Sequence, residues 1–290
     1  MRTRTLTLAA AAGIVGLSLV ATPAIAAQPE KVSVITTAHR GAMAYAPENA
    51  LAAFEVGIEQ KATWIESDVQ LSKDGVAVLI HDTTLTRTTN VEEVYPDRAP
   101  WKVADFTLEE IKQLDAGSWF GEEFTGEQVP TLAEMVAQVR SSRSGIIMEL
   151  KSPELYPGVE QEVIDVFDSF PGYINSALAS ERLAVQSFNW DSMATYAELQ
   201  PEVPVGLLGT VPVADLAAYG QWADQVNPNF GAVTADYVNA VHDAGMVINT
   251  YTVNEVADMA RLLDYGVDGI ITNRPDVLED LLAQRNIEKR

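Results

Sequence analysis

Two histidines and three acids stand out by type and spacing. His39 closes the apolar run from Val32 to Ala38 and is followed by Arg40, and His81 closes a second run, Val76 to Ile80. Between them, Glu66 and Asp68 lie in the apolar stretch Trp64-Ile65-Glu66-Ser67-Asp68-Val69. Residues i and i+2 of a strand project from one face, so this spacing sets two carboxylates side by side. Like charges that close repel unless a proton or a cation sits between them. A hard, oxygen-preferring ion, Ca²⁺ or Mg²⁺, fits that role. A third acid, Glu149, ends the run Gly145 to Leu150 and shares a strand face with Lys151. One of this pair can join the first two acids at the metal while the other holds an anionic oxygen; an ordinary strand-end ion pair is the plainer reading. Arg40 supplies a planar cation suited to phosphate. Two imidazoles that titrate near 6.5 when unperturbed can divide acid and base roles at neutral pH. The sequence does not decide between them; our working assignment is His39 as base and His81 as acid.

A hairpin must bring His81 to the acids. Lys73-Asp74-Gly75-Val76 reads as a two-residue Asp-Gly turn between alternating apolar segments. Pairing Lys73 with Val76 puts His81 opposite Asp68 and on the same face, and a slip of one residue would turn the ring away.

The remaining elements supply the frame. Short apolar runs alternate with helical patterns, the mark of a parallel α/β sheet. The runs begin with Val32 to Ala38, Trp64 to Gln70, Gly145 to Leu150 and Leu183 to Ser187. They continue with Pro204 to Leu208, Ala223 to Asn227, Met246 to Tyr251 and Gly269 to Thr272. With Val76 to Ile80 counted as a hairpin extension, these predict eight parallel strands, the requirement of a (β/α)₈ TIM barrel. A doubly wound open sheet would show a glycine-rich turn after the first strand, and none is there. Asn49 is placed to cap the helix carrying Leu51, Phe54 and Ile58. Residues 83–130 break the rhythm and read as a small insertion after the second strand and its hairpin, of the kind that covers or shapes a site. Within it, Trp119 and Phe120 either contact ligand or pack the insertion onto the barrel. Phe188 and Tyr251 follow strand ends, where aromatics line a pocket wall or simply pack. The third histidine, His242, lies in a helical pattern and reads as a surface residue. The tail from Arg285 to Arg290 reads as frayed.

Composition bounds the partners. Residues 1–26 have a basic start, an apolar stretch and small residues at Ala24-Ile25-Ala26, the pattern of a cleavable signal peptide. The expectation is therefore a secreted or extracytoplasmic chain with one domain over 27–290, touching a membrane only if the signal is uncut or the substrate is a lysolipid. There is no cysteine, hence neither a disulfide framework nor a lipoprotein anchor. The chain carries 19 basic and 41 acidic residues, a surface that repels nucleic acid. A small anionic substrate remains possible where a metal, Arg40 and Lys151 gather positive charge.

The ordered motifs are more telling together than singly. His39-Arg40-Gly41, Pro47-Glu48-Asn49, Glu66-x-Asp68-Val69, Asp74-Gly75, His81-Asp82 and Leu85-x-Arg87-Thr88-Thr89 follow the order of the glycerophosphodiester phosphodiesterase family, which the chain resembles over nearly all of residues 27–290. The resemblance implies a TIM-barrel hydrolase that releases sn-glycerol 3-phosphate and an alcohol. It implies His39 and His81 as catalytic, one divalent cation on Glu66, Asp68 and Glu149, and Arg40 and Lys151 on phosphate, with Phe188 and Tyr251 at the substrate. The chain departs from the family where Tyr251 replaces a common Trp, Ala50 a Thr, and Asn273 a frequent Asp; the first of these bears on the preferred alcohol. Rival readings are a lysolipid or teichoic acid hydrolase of the same superfamily, a glycosidase using Glu66 and Glu149, and a non-catalytic phosphodiester-binding protein. Two histidines with no task argue against the glycosidase.

Overall fold

The computed structural model describes residues 33–289; the signal-peptide reading lies outside them. Among the described residues ten strands form, numbered here in chain order: β1 (Ser33–Ala38), β2 (Trp64–Leu71), β3 (Ala77–Leu79), β4 (Gly145–Leu150) and β5 (Leu183–Ser187). The remainder are β6 (Val205–Leu208), β7 (Gln225–Asn227), β8 (Val247–Thr250), β9 (Gly269–Thr272) and β10 (Glu288–Lys289). Eight of them, β1, β2 and β4 to β9, pair in parallel, and the β1–β2 ladder closes the ring. The barrel expected from the alternation is therefore present, each expected run within about two residues of a strand. Its tail is better ordered than expected, because the helix Pro275–Arg285 returns the chain so that β10 pairs beside β1 at Ser33 and Val34.

Interior positions change character along the strands. Ile35, Trp64, Ile147 and Ala184 make a separate apolar plug near the strand beginnings. Two residues further on, the same faces carry Glu66, Glu149 and Gln186, all buried. Gln186 accepts a hydrogen bond from Asn227 at 2.7 Å, and Asn249 donates to Gln225 at 3.0 Å, so amides fill the far side of the barrel at this level. Outside the ring, helices cover the other strand faces through the main apolar core, where Phe54, Phe167 and Tyr196 are fully enclosed.

The hairpin differs from expectation by one residue. Val69 pairs with Leu79 and Leu71 with Ala77, and Ser72 closes the loop through Val76 N–H at 3.0 Å and its own N–H to Val76 O at 2.9 Å. The loop is thus three residues, Lys73-Asp74-Gly75, with Gly75 at φ +80°. A left-handed glycine after a tight turn is what a three-residue hairpin needs. Asp68 consequently faces Ile80, whose N–H bonds the Asp68 carbonyl at 2.9 Å.

The insertion has a small core of its own. Leu85, Val91, Val103, Phe106, Ile111 and Leu114 pack on Val78 and Ile80 of the hairpin. Asp115 ties its far end together by accepting from the N–H groups of Gly117, Ser118 and Gly126 at 2.8–2.9 Å. Trp119 stays 41% exposed, bonded to Ala116 O and edge-on to Phe120, which in turn meets Phe124. Both aromatics thus pack against each other within the insertion, and Trp119 keeps an exposed face. Among the described residues no helix is long and apolar enough to cross a membrane.

Candidate active site

Every residue singled out for chemistry reaches the carboxyl end of the barrel. Asp68 and Glu149 are register partners on β2 and β4, and Glu66 precedes Asp68 on the same face. One oxygen from each lies within 4.8 Å of the others, and all three residues are buried. Burial, then the neighbouring Asp68 and Glu149 charges, drive the Glu66 carboxyl well above its ordinary range. Burial and Asp68 push Glu149 up to about 7, against the pull of Lys151. Asp68 behaves otherwise: burial opposes its charge, but Arg40, Lys151 and His81 outweigh it and hold the carboxyl below the usual value.

This triad fits a hard divalent cation. Among the described residues Asp68 Oδ1 is buried and accepts no hydrogen bond, and the Lys151 ammonium stands 3.6 Å from it. The same ammonium bonds Glu149 Oε1 at 2.7 Å. Three acids set against Lys151 and Arg40, the latter shared with Glu48, leave negative charge uncompensated, and oxygen donors of this kind match Ca²⁺ or Mg²⁺.

The turn after β1 aims the first histidine. Arg40 and Gly41 both have left-handed backbone, φ 53° and 76°. A Cβ on Gly41 would come within 2.6 Å of the Ala53 backbone, so the position excludes a side chain twice over. In this shape Arg40 N–H donates to Glu66 Oε2 at 2.7 Å, while its guanidinium bonds Glu48 at 2.9 Å and stands 3.4 Å from Asp68. His39 N–H is tied to Thr272 O, and its Nδ1 meets Asn273 Oδ1 at 2.7 Å. An amide oxygen only accepts, so Nδ1 carries the proton and Nε2 offers its lone pair. Burial first, then Arg40, lower the His39 pKa to about 4. The ring is neutral at physiological pH and able to take a proton.

His81 arrives by a different route. Since Ile80 and not His81 stands opposite Asp68, the cross-strand expectation fails by one residue. The ladder ends at Leu79, so strand alternation no longer fixes the next side chains. Ile80 enters the insertion core, and His81 turns to where its charge acts on Asp68. Its Nδ1 meets Asp82 Oδ1 at 2.7 Å. Hydrogen bonds from Arg87 are the chief reason Asp82 stays well below the carboxylate range.

Four residues given no role in the site by sequence reasoning tie these parts together. Arg87 bonds both oxygens of Asp82 at 2.6 and 3.0 Å and both oxygens of Glu48 at 2.8 Å, and Glu48 also holds Arg40. Asn49 does not cap the following helix; Ala50 occupies that position without a side-chain bond. At φ 59° Asn49 instead turns its amide inward, donating to Asp68 Oδ2 at 2.9 Å and accepting from Ser67 Oγ at 2.6 Å. Their motifs were visible, but roles that arise across 19 to 39 residues of chain are not written in local spacing.

Lys151 lies 5.6 Å from the centre of the Phe188 ring, which meets Tyr251 edge-on at 5.8 Å. Phe188 is 53% exposed. A cavity of about 560 Å³ opens there, lined by Glu149, Lys151, Glu154, Phe188, Trp190 and Tyr219 among others. A second, of about 540 Å³, lies by Ile35, Trp64 and Leu183 at the strand beginnings, away from the acids. His242 is a surface residue as read, paired with Asp268 at 2.8 Å.

Comparison with known proteins gives the family. The chain is 36% identical over 281 residues to a glycerophosphodiester phosphodiesterase of Bacillus subtilis, covering 90% of this chain and 92% of that one. It is 37% identical over 254 residues to a glycerophosphodiester phosphodiesterase of Caldanaerobacter subterraneus, covering 86% and 98%. Among solved structures, an Oleispira antarctica phosphodiesterase in complex with the product sn-glycerol-3-phosphate superposes with a TM-score of 0.75 at 27% identity, over 86% of this chain and 96% of that one. The model of the glycerophosphoryl diester phosphodiesterase family matches residues 39–277, and the chain belongs to that family.

Proposed function

We propose that this chain is a secreted, metal-assisted phosphodiesterase that hydrolyses small glycerophosphodiesters to an alcohol and sn-glycerol 3-phosphate. The observation that carries the reading is a buried, charge-deficient triad of Glu66, Asp68 and Glu149 beside two imidazoles with opposite partners. The relatives named for this activity and the product seen in the Oleispira structure support the substrate class. The triad would hold one divalent cation, Ca²⁺ or Mg²⁺, which supplies charge stabilisation to the non-bridging phosphate oxygens.

The chain's own groups do the rest. Arg40 and Lys151 add positive charge on those oxygens, and Phe188 and Tyr251 flank the alcohol. His39 Nε2 removes the proton from the nucleophile, either water or a neighbouring glycerol hydroxyl. His81 delivers a proton to the departing alkoxide as the P–O bond breaks. If the glycerol hydroxyl attacks first, the product is a cyclic phosphate that water then opens, with the two rings exchanging roles. Residues 1–26 would direct export and be removed, leaving one domain over 27–290. The test is purified protein with a panel of glycerophosphodiesters, following sn-glycerol 3-phosphate release with Ca²⁺, with Mg²⁺ and with EDTA. Release that stops in EDTA and returns with cation is expected; release from no substrate, or at full rate in EDTA, overturns the reading.

A further inference from the structure

One face of β2 carries Glu66, Asp68 and Gln70, and the third of these is as buried as the acids. Gln70 Nε2 donates to the carbonyl oxygens of Ile80 at 2.8 Å, His81 at 3.1 Å and Asp82 at 2.8 Å. Two amide hydrogens serve three acceptors, so the donor capacity is fully used. These carbonyls follow the end of the β2–β3 ladder, and among the described residues no other hydrogen bond reaches them. Three successive carbonyls converging on one nitrogen require the chain to curl, and that curl is what turns His81 out of the strand. Tyr156, also buried, donates its hydroxyl to Gln70 Oε1 at 2.7 Å and so fixes which end of the amide faces the carbonyls. Tyr156 follows the short turn Pro153–Leu155 just beyond Lys151.

We infer that Gln70, locked by Tyr156, is a positioning residue for His81: it holds the 80–82 backbone so that the imidazole faces the reacting phosphodiester. It acts chiefly on the proton donor, because the side chains of the cation ligands and Arg40 have contacts of their own, to Asn49, Lys151 and Glu48. The inference rests on the phosphodiesterase reading and on His81 as the acid.

The experiment compares two diesters with the same glycerol phosphate half, one leaving as choline and one as p-nitrophenol, using full-length protein saturated with Ca²⁺ or Mg²⁺. A nitrophenolate departs without a proton donor, whereas an alkoxide does not. For Gln70→Met the expected result is a fall in kcat of about 10–100-fold on the choline ester, with KM and cation affinity nearly unchanged and a much smaller fall on the nitrophenyl ester. Tyr156→Phe should show the same split, more weakly, and serves if Gln70→Met does not fold. Equal losses on both esters, no loss on the choline ester, or weakened cation binding would overturn the clamp. A crystal structure of either variant gives a readout free of turnover: a shifted 80–82 segment supports the clamp and an unmoved one refutes it. A wild-type protein inactive on both esters would refute the phosphodiesterase reading instead, leaving the crystallographic test of the clamp in force.

Discussion

His39 and His81 both lie within electrostatic reach of Asp68 in the acid triad, yet the chain surrounds them in contrasting ways. His39 follows a barrel strand directly, is half-buried with Arg40 beside it, and gives its Nδ1 to an amide, Asn273. An amide cannot offset positive charge, so this ring is kept neutral. His81 sits beyond a hairpin, is partly exposed, and gives its Nδ1 to a carboxylate, Asp82, which can offset positive charge. The two rings share an element of chemistry and are divided by their partners, the general route by which one site holds an acid and a base together. Position relative to the barrel matters too. The strand end fixes His39 through the closed sheet, whereas His81 depends on side chains reaching across from other elements.

The comparison breaks most directly at the rings themselves. His39→Ala and His81→Ala should each cut kcat by about 10²–10⁴ on an alkyl glycerophosphodiester. Only the His81→Ala loss should shrink on the nitrophenyl ester, because that leaving group needs no acid. Steady-state kinetics on the two esters decide it; the opposite pattern would reverse the roles, and more than a tenth of wild-type turnover in either variant would remove that ring from the chemistry.

Arg87 tests whether the two environments are connected. It bridges Asp82, the partner of His81, to Glu48, the partner of Arg40. Arg87→Met should lower kcat by about 10–100-fold and raise KM as well, since Arg40 loses its anchor along with Asp82. A change in kcat alone would show that the bridge serves His81 only.

Protonation gives the two sides opposite signs in stability. Glu149 is raised to about 7 in the cation-free fold, so its contribution is complete below about 4.5 and is lost as pH rises through 7. His39 is lowered to about 4, so its contribution is present above about 6.5 and is lost as pH falls through 4. A cation takes the place of the proton on the acids. The rise in Tm on adding Ca²⁺ or Mg²⁺ should therefore be larger at about pH 8 than at about pH 5, as scanning fluorimetry in EDTA and in cation would show. An equal rise at both pH values would mean that the triad is not where the ion binds.

What the sequence revealed of this arrangement follows the range of each interaction. Strand ends that carry Glu66, Asp68, Glu149 and Lys151 were legible, because burial and two-residue alternation act locally. His81 comes within reach of Asp68 by a route other than the cross-strand pairing that the turn suggests. Asp-Gly suggests a two-residue turn, but Ser72 Oγ bonds both Val76 N–H and Asp74, which favours the three-residue loop and shifts the pairing. Asn49 was misread for a related cause: an asparagine before a helix is a good cap in general, and nothing nearby shows that it has left-handed backbone and a buried aspartate to orient. Contacts made by Glu48, Arg87 and Gln70 depend on how hairpin, insertion and barrel meet, and no spacing rule reaches that far.

The mildest change sharpens the contrast furthest. Asn273→Asp would give His39 the kind of partner that His81 has, by exchanging an amide for a nearly isosteric carboxylate at 2.7 Å from Nδ1. Negative charge there stabilises the imidazolium, so the His39 pKa must rise from about 4, by roughly one unit or more. A base works only when unprotonated. The acidic limb of kcat/KM, measured at saturating cation, should move to higher pH by the same amount, while the rate on the alkaline side of that limb stays close to wild type. If the limb stays in place although NMR titration shows the His39 pKa raised, the ring that accepts the proton is not His39, and the amide beside it is a packing choice without catalytic meaning.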